Sequence, residues 1–148
     1  MFQGESIVSL DEKGRMAIPS AYREQISAIC RNRLVVAYNP FDAGCLWIFP
    51  LGEWERVRDQ VNGLPSFQPG HRLLQRKLVG AATHVEPDAS FRILLPASAR
   101  HTCGLEKRAV LIGLGAKFEL WSEEAHRQQI GAPITEAQLT EDMLSLRF

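Results

Sequence analysis

The sequence predicts an α+β fold, mainly β, made of two copies of one unit. Three observations predict it. An Asp–x–x–x–Arg followed by a strand, a proline and a helix occurs twice, over Asp11–Pro19 and Asp88–Pro96. The copies keep one offset of 77 residues at three points: Asp11 and Asp88, Pro19 and Pro96, Arg23 and Arg100. The apolar stretches between these marks are short and bounded by Gly and Pro, as strands are. Each copy reads strand, turn, strand, helix, strand, strand, helix. One copy, about 70 residues, is too small to bury enough apolar surface alone. Two copies sharing a core, with hairpins swapped between them, predict a double-split (swapped-hairpin) β-barrel.

Taken in order, 2–10 reads as a strand, with Ile7, Val8 and Leu10 apolar. Asp11-Glu12-Lys13-Gly14 is a turn, because Asp favours its first position and Gly supplies a positive φ. Residues 15–18 resume extended structure, and Pro19 suits the first turn of a helix. Tyr22, Ile26 and Ile29 recur there at helical spacing. Leu34–Ala37 is a buried-type strand, 39–44 a loop, and 45–49 the next strand. Pro50 stops that strand, and Leu51, Trp54, Val57 and Val61 mark an amphipathic helix. The second copy repeats this order. Residues 83–86 lead into the Asp88 turn, 92–95 form a strand, and Pro96 opens a helix ending near Gly104. Residues 109–112 and 117–121 are strands, and a helix follows from Ser122. The expected divisions are a first repeat over 1–62, a linker with a helix over 63–79, a second repeat over 80–130 and a tail over 131–148. In the tail, Thr135–x–x–Gln138 has the pattern of a capping box.

Composition narrows the function classes. The chain has 148 residues, 45% of them hydrophobic and 23% charged, as in a globular protein. No run of about 18 apolar residues exists, so no membrane association is expected. The first residues lack a basic segment followed by an apolar one, which argues against a secretory signal. Cys30, Cys45 and Cys103 stand at unrelated spacings and read as free thiols in a reducing cytosol. His101–x–Cys103 is a local pair without further ligands, so neither a metal nor a cofactor is expected. No nucleophile–base pair or phosphate-binding Gly loop is present, so the chain is not expected to be an enzyme. Glu123-Glu124 lies at a helix start, where acidic residues favour the macrodipole. Trp47, Trp54 and Trp121 sit among apolar neighbours and read as packing residues rather than stacking platforms for single strands.

The formal net charge is zero. Its distribution is uneven. Lys13, Arg15, Arg23, Arg31 and Arg33 crowd the first copy, Arg72, Arg76 and Lys77 form a second basic group, and the C-terminal end is acidic. A neutral sum can therefore hold one basic face and one acidic face.

Several segments together resemble the MraZ family. They are Met1-Phe2-Gln3-Gly4, Leu10–Arg15 followed by Ala17-Ile18-Pro19, Cys45–Leu51 with Glu53-Trp54, Gln75-Arg76, and Lys117–Trp121. The likeness spans residues 1 to about 130. It implies halves of the AbrB type, with swapped hairpins that bind DNA. It implies a transcriptional regulator, usually a repressor, that acts on repeated sites upstream of the division and cell-wall gene cluster. It also implies a ring-shaped homo-oligomer in the cytoplasm near the nucleoid. By the same resemblance the DNA contacts fall to Lys13 and Arg15 in the first copy and to Arg92 in the second, with Arg23 and Arg100 as further DNA-facing arginines. Phe91 departs from the family pattern by standing where Gly14 stands in the first turn. A non-Gly residue in a left-handed conformation costs about 1–2 kcal/mol, so the second turn is expected to be strained or built differently.

Arginine suits the task because its planar fork can hold guanine O6 and N7, or a phosphate, through two parallel bonds. Asp11 and Asp88 read as turn formers that accept backbone N–H bonds and orient the arginine. The competing reading is that each Asp–Arg is only a local ion pair. A second function class also stands: an oligomeric protein-interaction module without specific DNA binding, motivated by the uncharged Ala89-Ser90 tip and the acidic tail.

Overall fold

The computed structural model describes all residues, Met1–Phe148. The first unit comprises β1 (Phe2–Ser9), β2 (Arg15–Ala17), α1 (Ser20–Cys30), β3 (Leu34–Tyr38), β4 (Cys45–Pro50) and α2 (Leu51–Asn62). A connector follows: α3 (Pro69–Gln75) runs into a π-helical turn, Arg76–Gly80. The second unit comprises β5 (Thr83–Val85), β6 (Arg92–Leu94), α4 (Ala97–Cys103), β7 (Arg108–Gly115), β8 (Lys117–Ser122) and α5 (Glu123–Gly131). The tail holds a 3-10 turn, Glu136–Gln138, and α6 (Glu141–Leu144).

The registers show how the units exchange strands. β1 pairs with β7, and β5 pairs with β3, all antiparallel. The first strand of each unit thus lies against the third strand of the other. β4 and β8, which are equivalent strands, pair with each other at the centre. β2 and β6 pair only with each other and form a separate ribbon with Met16 opposite Ile93. These two residues stand 77 apart, the offset of the repeat, so an approximate twofold passes between them. The six longer-range strands form one antiparallel sheet in the order β1-β7-β8-β4-β3-β5. The result is a mixed α+β protein with a mainly sheet core. The backbone ladders make one six-stranded sheet and one two-stranded ribbon.

Both faces of the sheet are covered. The main core lies between its inner face and the ribbon with α1 and α4. Leu46, Ile48, Phe118 and Leu120 of the sheet meet Met16, Ile18, Ile93 and Leu95, with Tyr22 and Ile26 of α1. On the outer face, Trp54 and Val61 of α2 and Leu78 of the connector cover Val35, Ala37 and Phe49. Beside them, Cys45, Val110 and Trp121 pack with Ala125 of α5. Burial on both faces explains the unbroken apolar run Leu34–Ala37, which alternation would otherwise interrupt.

Local chemistry sets the element ends. Pro19, Pro50 and Pro96 each sit at an N-cap in extended conformation, one residue before the helix rather than inside its first turn. Proline's missing N–H costs nothing there, and its ring blocks the strand from continuing. In α1 the buried stripe is Tyr22, Ile26 and Cys30, while Ile29 is exposed. The i, i+4, i+8 spacing therefore faces the core, and Ile29 lies off it. The Tyr22 hydroxyl donates to the Gln3 carbonyl at 2.7 Å and ties α1 to the swapped strand β1. Gly113 lies within β7. A Cβ there would stand 2.6 Å from the Gln3 nitrogen of β1, so the two strands approach closely only because it is glycine.

The cysteines are buried and unpaired. Burial pushes the Cys103 thiol up to about 11 and raises Cys30 and Cys45 as well. Such thiols behave as small apolar side chains rather than nucleophiles. Trp54 and Trp121 are buried and Trp47 partly so, with Trp47 and Trp121 both donating to the Glu119 carboxylate.

Candidate nucleic-acid interface

Each Asp–x–x–x–Arg closes the same turn. In the first, the Asp11 N–H donates to the Arg15 carbonyl at 3.0 Å, and the Gly14 N–H donates to the Asp11 carbonyl at 2.9 Å. In the second, the Asp88 N–H donates to the Arg92 carbonyl and the Phe91 N–H to the Asp88 carbonyl, both at 2.9 Å. One carboxylate oxygen of each aspartate collects two backbone N–H groups. For Asp11 these are Lys13 and Arg15; for Asp88 they are Ser90 and Arg92. The other oxygen accepts from the arginine Nε, at 2.7 Å for Arg15 and 3.0 Å for Arg92.

The second turn is therefore not built differently. Phe91 adopts φ 55°, the left-handed region that Gly14 occupies at φ 84°. Its strain is offset by the same set of bonds and by Arg23, whose guanidinium lies 5.0 Å from the Phe91 ring centroid. At the matching place in the first turn, the Arg100 guanidinium lies directly against Gly14, in the space a Cβ would take. Arg23 and Arg100 are held alike: their Nε atoms donate to the carbonyls of Ile18 at 3.0 Å and Leu95 at 3.3 Å.

The turns are also joined across the ribbon. The Ile18 N–H donates to the Phe91 carbonyl, and the Leu95 N–H donates to the Gly14 carbonyl. Side chains on a strand alternate between faces. Met16 and Ile93 point into the core, so Arg15, Ala17, Arg92 and Leu94 share the outer face. The register sets Arg15 opposite Leu94 and Ala17 opposite Arg92. Both arginines are about one-third exposed, at 30% and 35% of the side chain. Arg92 Nη1 also comes within 3.8 Å of the Asp11 carboxylate, so the two copies meet at this point. Lys13 stands exposed at the first tip, beside Glu12, while the second tip carries exposed Ala89 and Ser90.

The electrostatics favour holding the arginines, not burying them. The backbone N–H of Arg15, with its side chain helping, keeps Asp11 below the usual carboxylate range. The Arg92 N–H does the same for Asp88. An exposed ion pair of this kind adds little to stability, because solvent screens it. A bidentate arginine–guanine contact carries about 1–3 kcal/mol of discrimination. Each hydrogen-bonded pair engages the Nε edge and leaves both terminal nitrogens of Arg15 free of it, while Arg92 Nη1 keeps only the longer 3.8 Å approach to Asp11. The ribbon thus has the form of a two-stranded element that a major groove admits. Sequence reasoning overlooked Leu94 and the stacking of Arg23 on Phe91. The offset of 77 matches Leu94 with Ala17, and that match was the available signal.

No helix is long and apolar enough to cross a membrane. No cluster of three or more His, Cys, Asp or Glu is arranged to hold a metal.

Comparison with known proteins agrees with the doubled architecture. The family model described as "MraZ protein, putative antitoxin-like" matches twice, over residues 1–77 and 78–145. The chain is 53% identical over 148 residues to a protein of Stenotrophomonas maltophilia (strain R551-3) named transcriptional regulator MraZ, with both chains covered in full. A protein of the same name from Xylella fastidiosa (strain Temecula1 / ATCC 700964) is 49% identical, again over the full length of both. One from Nitrosospira multiformis is 48% identical over 130 residues, covering 88% of this chain and 87% of its own. These relatives carry a regulator's name and no enzyme's. With one family model matched over both halves and full-length relatives at about half identity, the chain belongs to the MraZ family.

Proposed function

We propose that this chain is a sequence-specific DNA-binding transcriptional regulator. It acts as a repressor on tandem sites upstream of the division and cell-wall gene cluster, its own gene included. One observation supports the reading above others: Arg15 and Arg92 stand together on the outer face of one ribbon, each braced by an aspartate through Nε. In this reading Arg15 and Arg92 contact bases, Lys13 contacts phosphate, and Arg23 and Arg100 flank the turns against the backbone. Asp11, Gly14 and Asp88 shape the turns. The names of the full-length relatives support the regulatory role.

The finer architecture belongs to the same proposal. Residues 1–62 and 80–130 act as the two repeats, 63–79 as their connector and 131–148 as a tail, with sheet and ribbon wrapping into a double-split barrel. A ring of copies, working in the cytoplasm at the nucleoid, repeats the ribbon around its rim. Five cations near the turns face three anions, Asp11, Glu12 and Asp88, so one copy brings little net charge to a duplex. A ring engaging two or more sites at once gains about 10²–10⁴ in avidity. The test is a mobility-shift titration against the DNA upstream of the chain's own gene. Arg15→Ala is expected to abolish binding while leaving the subunit count unchanged. Binding by that variant at wild-type strength would remove the ribbon from the account.

A further inference from the structure

Leu94 is 56% exposed on a ribbon whose inner residues, Met16 and Ile93, are 1% and 0% exposed. The core has therefore taken its apolar side chains from this ribbon, and Leu94 is left on the other face. A single exposed leucine is ordinary. Its setting is not, because the register puts it directly opposite Arg15 and two residues beyond Arg92 on the same face. An isobutyl group stands beside both arginines, across the ribbon from Arg15 and along the strand from Arg92. If the ribbon lies in a major groove, as proposed above, only one kind of apolar group awaits it there: the 5-methyl of thymine.

We propose that Leu94 is a specificity-determining residue that packs on the 5-methyl group of one thymine, next to the base pair read by Arg15. The proposal rests on the reading of the ribbon as the DNA face. The approximate twofold makes it sharper. The residue equivalent to Leu94 is Ala17, whose single methyl falls short of where a leucine reaches. The two ends of the ribbon carry matching arginines and unmatched apolar partners. The bound sequence is therefore read with a direction, even though the braced arginines themselves are arranged almost symmetrically.

Replacing single thymines by deoxyuridine removes the methyl and leaves the pairing edge intact. Wild-type protein is expected to bind about fourfold more weakly at one thymine per repeat, the worth of one buried methyl. Leu94→Ala is expected to bind thymine and uracil DNA equally at that position, with unchanged circular dichroism and subunit count. Leu94→Met is expected to restore the preference for thymine. Indifference of the wild type to uracil at every thymine overturns the proposal. So does a Leu94→Ala protein that keeps the preference, or one whose subunit count changes, since the leucine then lies between protomers. Failure of wild-type protein to bind the thymine DNA at all is a separate result, and it removes the DNA reading together with this one.

Discussion

One carboxylate organises each turn, and its protonation state follows from that work. Asp11 and Asp88 accept two backbone N–H groups and an arginine Nε apiece, which favours the charged form. Their folded pKa values lie below the unfolded value of 3.8. The stability they contribute is therefore fully present above that value and is lost as pH falls through the depressed one. Carboxyl NMR titration should find both aspartates ionised throughout mildly acidic conditions. In Arg15→Ala, Asp11 should rise only part of the way to the ordinary value, because the residue 15 backbone N–H, the main cause of its lowering, remains. Gly14 is the other constrained residue. Alanine there has to adopt φ 84° and displace the Arg100 guanidinium. Gly14→Ala should cost at least about 1–2 kcal/mol, read from the urea midpoint. Both the Asp–x–x–x–Arg and Gly14 were legible in the sequence, because turn chemistry is local. The Phe91 turn was only half legible, since Arg23 reaches its ring from another element.

At the scale of elements, the swapped strand pairs join the halves together with the β4–β8 pairing and the ribbon. β1 spans eight residues against β7, while its equivalent β5 spans three against β3. The longer pairing depends on Gly113, where a Cβ would press on the β1 backbone. Backbone cannot swing aside as a side chain can, so Gly113→Ala should pry β1 from β7. Thermal unfolding should fall by several degrees, about what 1–3 kcal/mol of overpacking does to a chain of this size. Amide exchange should rise first in β1. The tail is at the opposite extreme. Its apolar residues Ile134, Leu139, Leu144, Leu146 and Phe148 are all exposed. Truncation after residue 131 should leave the unfolding temperature of the single chain unchanged. Strand and helix positions followed from periodicity and proline. The exposure of Ile29 did not, because two i, i+3 or i, i+4 choices were open and only packing against the sheet selects Cys30.

For the whole molecule, each repeat completes its strand pairing only with the other. Each copy lends its first strand to the other, and Met16 and Ile93 meet on the axis between them. A fragment of residues 80–148 lacks the partners of β5 and β6 and one of the two neighbours of β7 and of β8, and it should show no cooperative unfolding transition by circular dichroism. Assembly sets the strength of binding in the proposed function. Affinity for tandem sites should exceed that for one site by about 10²–10⁴ at fixed salt. It should also fall steeply as salt rises, because each neutralised phosphate releases counterions. Equal affinity for one site and several would take avidity out of the account.

By itself the sequence determined the repeat, the strand–turn–strand–Pro–helix order and the aspartate-braced arginines. The repeat follows from one constant offset, and the rest from spacing, turn chemistry and side-chain type within about ten residues of one another. Only the tertiary structure decided which strand each copy exchanges, that Arg15 and Arg92 come together on one ribbon, and that Leu94 faces outward beside them. Register decides such things, and register is chosen by the burial of Met16 and Ile93 across a sequence separation that local pattern does not span.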